Sequence, residues 1–157
     1  MKSLIFVGLA LMAGVSFSHD EGHGPKATSA AKRGGKVGAV IAASDASKGP
    51  KATLIYKAEL VRTEDDQMKL YFYDKEMNAL PDAQLSRFEK SATATVEHLK
   101  KGKSTKTSNF NLALINGVFE GKIGEKPKTQ TFNVAVKIKE DDKELLAVFD
   151  GLETRVQ

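Results

Sequence analysis

The chain has 157 residues, 24 of them basic and 20 acidic, with a formal charge of +4 and no cysteine. Without cysteine, disulfide stapling, thiol nucleophiles and thiolate metal sites are excluded. A charge this small lacks the dense basic face of a nucleic-acid binder, and the length suits one domain with its own core.

The first eighteen residues, MKSLIFVGLALMAGVSFS, carry one charge at Lys2, an apolar run from Leu4 to Val15 and the small residues Ser16 and Ser18. That order is the order of a secretory signal. The run falls short of the roughly 20 apolar residues that span a bilayer. Residues 1–18 are therefore expected to be a signal peptide, with a cut after Ser16 as the other acceptable site. The mature chain then works in the periplasm or is secreted, without a transmembrane segment. Residues 19–35, HDEGHGPKATSAAKRGG, hold no Leu, Ile, Val or aromatic side chain. They cannot bury enough apolar surface to offset ordering entropy, so a flexible, disordered tail is expected there. Residues 36–157 form the predicted domain.

Lys36–Ala43 reads as a first strand, and Ser44–Lys51 as turn chemistry. From Thr53 the apolar residues recur every second position. Leu54, Tyr56, Ala58 and Leu60 share one face, as do Met68, Leu70 and Phe72, with Tyr71 and Tyr73 opposite. Asp82–Ser91 is the one candidate helical turn, with Leu85 and Phe88 at i, i+3. Strands follow at ATATVEHL, NFNLALI and VFEGKI, the last two joined by Asn116-Gly117, a strong hairpin signal. TFNVAVKI puts Phe132, Val134, Val136 and Ile138 on one face, and ELLAVFDGL closes the chain. Seven to eight short strands with turn signals every eight to twelve residues predict an all-β fold, an immunoglobulin-like antiparallel β-sandwich.

The tail carries the candidate metal ligands His19, Asp20, Glu21 and His23. A cut after Ser18 gives His19 an α-amine beside its imidazole. A cut after Ser16 puts His19 third, where the amine, two backbone nitrogens and the imidazole wrap Cu(II) in a square plane. Nitrogen donors of this kind suit Cu(II), Ni(II) and Zn(II). The competing reading is a soluble spacer that happens to hold two histidines.

His98, near a strand end, reads as a structural histidine. The pairs Asp65-Asp66 and Asp141-Asp142 read as hairpin turns, where aspartate bonds its own backbone. Lys100, Lys101, Lys103 and Lys106 make a basic hairpin tip, either a wet turn or a contact for anionic head groups or an acidic partner. Tyr71 and Tyr73, if exposed side by side, form a small partner surface. No G-x-S-x-G, HExxH or phosphate loop occurs, so the chain is read as non-catalytic, with no required cofactor.

Two stretches carry a family resemblance. AELVRTEDDQMKLYFYDKEMNALP (Ala58–Pro81) and FNVAVKIKEDDKELLAVFDGLETRV (Phe132–Val156) are similar to the small β-rich domain that precedes the membrane-fusion adaptor of heavy-metal resistance–nodulation–division efflux systems. Free-standing exported proteins share that pattern, many with a His- and acid-rich start, which HDEGHG resembles in shortened form. The lipoyl, coiled-coil and barrel modules of a full adaptor are missing from this chain.

The resemblance implies a periplasmic accessory protein of copper or zinc homeostasis, and the chain is expected to be monomeric or weakly associating. Its tail would hold Cu(II) or Zn(II) weakly, and its domain would dock on an efflux adaptor or other envelope protein. The alternative is an envelope scaffold or adhesion-type sandwich that binds protein or glycan through Tyr71 and Tyr73 without metal.

Overall fold

The computed structural model describes residues 24–124 and 131–153. Eight strands follow the period-two runs: β1 Lys36–Ala42, β2 Tyr56–Arg62, β3 Gln67–Tyr73, β4 Ser91–Lys100, β5 Lys103–Ile115, β6 Val118–Lys122, β7 Thr131–Glu140 and β8 Lys143–Glu153. A 3₁₀ stretch, Ala43–Lys51, joins β1 to β2. One helical turn, α1 (Asp82–Leu85), precedes β4.

Tight turns sit where side chains that tolerate left-handed backbone are available. Asp66, Asn116 and Asp141 all have positive φ, at 61°, 49° and 50°. Asp and Asn adopt that conformation more readily than other non-glycine residues. The paired aspartates thus serve the turns expected of them.

All strand pairs are antiparallel, and their order is β1-β2-β3-β6-β5-β4-β7-β8, with β8 pairing back to β1. β4, β5 and β6 are hairpin-connected, and β7 returns to lie beside β4, a Greek-key path. The ladder is closed. The all-β antiparallel expectation holds, but the two open-edged sheets of an immunoglobulin-like sandwich are replaced by one barrel. The rungs Ala39↔Val148 to Ala42↔Leu145 make that closure, which satisfies backbone groups that an open edge would leave unpaired.

An eight-stranded barrel has an interior about wide enough for side chains alone. Here Leu60, Leu70, Val96, Leu112, Phe119, Phe132, Val136 and Phe149 fill it. Gly38 makes room for one of them. A Cβ there would lie 2.2 Å from the Val148 carbonyl oxygen and 2.6 Å from the Phe149 ring.

A second apolar cluster lies on the outer wall. Ala39, Ile41, Ala135, Leu146 and Val148 are covered by Ala46 and Ala52 of the 3₁₀ region and by Leu54. This cover buries outward residues of β1, β7 and β8 as well as their inward ones.

The barrel mouth at the start of β2 is closed by the segment after α1. Phe88, 2% exposed, lies 5.0 Å from Phe72 and 6.3 Å from Phe119 between ring centroids. The Tyr56 hydroxyl donates to Glu140 Oε1 at 2.9 Å, Gln84 bonds both, and Arg87 grips Asp141 at 2.7 Å. Burial, then the Glu140 carboxylate, raises the Tyr56 pKa above its ordinary value. At the opposite mouth Arg62 pairs with Asp66 at 2.7 Å and its guanidinium stands 6.0 Å from the Phe132 ring centre.

Candidate functional site

The most built polar site in the described residues centres on Glu59. Alternation along β2 points Ala58 and Leu60 into the barrel and Glu59 out of it. Its neighbours are Val37 on β1 and Tyr71 on β3. An outward carboxylate is ordinarily wet, yet Glu59 is 0% exposed.

Residues 32–35 lie across it as a strap. The backbone N–H groups of Arg33 and Gly35 each donate to Glu59 Oε1 at 2.8 Å. The Lys32 N–H donates to Oε2 at 3.0 Å, and the Tyr73 hydroxyl donates to the same oxygen at 3.3 Å. Two bonds on each oxygen use the roughly four lone-pair sites of a carboxylate. Bonds to a charged acceptor are also the stronger kind. Glu59 is thus a saturated anchor, with no acceptor capacity left for a proton in transit or a metal ion.

Side chains of the strap cover the tyrosines. The Arg33 guanidinium stacks 4.1 Å from the Tyr71 ring centre, and its Nε donates to the Tyr73 hydroxyl at 3.3 Å. Lys32 Nζ sits 5.9 Å from the Tyr73 ring centre. Burial raises the Tyr73 pKa; the bond from Arg33 opposes that, and the charge of Glu59 adds to it. The same bond is the main cause that holds the Arg33 pKa above its ordinary value.

Two glycines let the strap pass this close. Gly34 has φ 75°, and a Cβ on Gly35 would fall 2.4 Å from the Leu60 carbonyl oxygen. Further back, Ser29 Oγ accepts a bond from Lys57 Nζ at 2.7 Å, and Gly24 lies beside Ala39, where a Cβ on it would come 3.6 Å from the alanine methyl. The second half of the stretch 19–35 is therefore seated along β1 and β2 by polar bonds, although its only apolar side chains are those of alanine.

The residues singled out in the sequence fall as follows. His19, Asp20, Glu21 and His23, and the opening residues 1–18, lie outside the described residues. Tyr71 and Tyr73 do stand side by side on the outer wall. Tyr73 is only 3% exposed and Tyr71 is half-buried, because Lys32–Gly35 occupies their surface. His98 is buried at the end of β4, with Nε2 3.3 Å from Ser108 Oγ. On the outer wall beside it, Glu97 is buried and accepts from Asn133 Nδ2 at 3.0 Å.

Among the described residues no three His, Asp or Glu side chains converge as a metal site. No helix among them is long and apolar enough to cross a membrane.

Glu59 escaped the sequence reading because periodicity assigns it only a direction. The one available signal was the sequence Arg33-Gly34-Gly35 just before β1, a backbone free to fold onto a neighbouring carboxylate.

No protein-family model matches the chain, and neither a curated protein nor a solved structure does.

Proposed function

We propose that this chain is an exported, monomeric, non-catalytic accessory protein of copper or zinc homeostasis or efflux. Its N-terminal segment captures Cu(II) or Zn(II) weakly through His19 and His23, helped by Asp20, Glu21 and the terminal amine. The barrel presents that segment to an efflux adaptor or other envelope protein.

The observation that supports this reading is the Glu59 strap. The stretch that follows HDEGH is tied to the β2 wall at Lys32, Arg33 and Gly35, and its first residue, Gly24, lies beside Ala39. A strap held in this way gives a weak ligand set a fixed point of departure and lowers the ordering cost of handing a metal to a docked partner.

The test is calorimetric titration of Cu(II) and Zn(II) into the exported protein, with its start fixed by intact mass. The His19→Ala, His23→Ala variant serves as the comparison, since both changes lie outside the strap. Binding is expected in the first and lost in the second. It should weaken as pH falls through roughly 6–7, because imidazole must be neutral to ligate. Equal binding by both proteins would remove the tail from the mechanism. Binding by neither would favour the metal-free scaffold reading.

A further inference from the structure

We propose that the β4–β5 hairpin tip is a contact surface for anionic phospholipid head groups, separate from any metal chemistry of the tail. Lys100, Lys101, Lys103 and Lys106 fall within seven residues, and no Asp or Glu occurs from His98 to Phe119. The local charge is therefore far denser than the balance of the whole chain.

The fold delivers these lysines to the outside. Lys101 and Gly102, with φ of 52° and 74°, make a two-residue turn between the rung partners Lys100 and Lys103. The turn lies past the last rung that β4 shares with β7, Leu99↔Thr131. On the other side β6 meets β5 only from Ala113 to Ile115. Every residue from Lys100 to Thr107 is exposed. A bulge beside His98 twists the pair, and Thr105 Oγ1 fastens it by donating to the His98 carbonyl at 3.1 Å.

The shape selects the partner. A two-residue hairpin tip that stands past the rungs of both neighbouring strands and is exposed along its length meets a flat charged sheet readily, whereas an acidic protein would need a complementary hollow. The large hydrophobic residue most exposed among those described, Ile115 at 50%, is at the far end of β5. The tip therefore has nothing to insert into acyl chains. Contact is electrostatic adsorption, and it should fall with ionic strength.

Cosedimentation of the full chain with vesicles tests this. Vesicles of equal parts phosphatidylglycerol and phosphatidylcholine are expected to bind it at low salt, and pure phosphatidylcholine is not. Each lysine removed should lower partitioning about fivefold. Lys103→Gln alone leaves the turn untouched and should give one such step. Lys100→Gln, Lys101→Asn, Lys103→Gln should all but abolish binding; asparagine is chosen because it tolerates the left-handed position. The exposed pair Lys90→Gln, Lys137→Gln should leave binding unchanged.

The proposal is overturned if wild-type protein ignores anionic vesicles, or if the Lys90/Lys137 pair matters as much as the tip. Retention on polyglutamate without vesicle binding would also overturn it, in favour of an acidic polypeptide partner.

Discussion

The Gly35 N–H points at Glu59 Oε1 from 2.8 Å, at a place where any larger residue would drive its Cβ to within 2.4 Å of the Leu60 carbonyl oxygen. The bond and the missing side chain are one device. The strap reaches a buried carboxylate only because its backbone can lie directly on β2.

Removing the acceptor should therefore free the strap. Glu59→Gln keeps one acceptor oxygen but turns the other position into a donor facing N–H groups. The expected loss is about 1.5–3 kcal/mol, the range for bonds to a charged partner. Hydrogen exchange at Arg33 and Gly35 should accelerate, and trypsin should cut after Lys32 or Arg33 sooner. Unchanged exchange at Gly35 would mean that the strap is held by Arg33 stacking instead.

The two glycines should separate by mechanism. Gly34→Ala meets open space and suffers only its left-handed φ, about 1–2 kcal/mol. Gly35→Ala collides with fixed backbone, so its loss should exceed that of Gly34→Ala in chemical denaturation. Equal midpoints for the two variants would count against close approach as the reason for Gly35.

Phe88 is the plug of one barrel mouth, packed on Phe72 and Phe119. Phe88→Ala should cost about 3–5 kcal/mol, the range for deleting a buried aromatic ring. Leu85→Ala, at a half-buried position one turn earlier, should cost less. A thermal melt of both variants checks the order, and an equal shift would place the plug elsewhere.

Alkaline pH should loosen the two places that hold a phenol out of water, the partly buried Tyr56 and the buried Tyr73. Tyr56 and Tyr73 are each held above the ordinary tyrosine value of 10.0, first by burial. A raised folded pKa means that the folded state keeps its proton longer. The associated stability is complete below pH 10 and is lost as pH rises through the folded values. Ultraviolet titration should show late-ionising tyrosines, fewer of them after Tyr73→Phe. Ionisation of all tyrosines together at the ordinary value, in folded protein, would contradict the placement of Tyr56 and Tyr73.

Much of the barrel wall is written locally. Met68, Leu70 and Phe72 face inward, as do Phe132, Val134, Val136 and Ile138, because side chains alternate along any extended strand. Asn116-Gly117 and the two aspartate pairs turn the chain where left-handed backbone is least costly. The stretch Lys100–Lys106, read as a turn, shows the limit of such signals. Only Lys101 and Gly102 turn, and Lys103–Lys106 is drawn into β5 by its rungs with β4.

The sequence by itself determined seven to eight short strands, the shared faces of most of them and most of their turns, since each depends on residues a few positions apart. Only the tertiary structure decided that β1 meets β8, that Phe88 fills a mouth and that Glu59 holds Lys32–Gly35. Those pairings join segments far apart in the chain. A strand's alternation says which way Glu59 points, but what meets it there depends on how the whole ladder curves and closes.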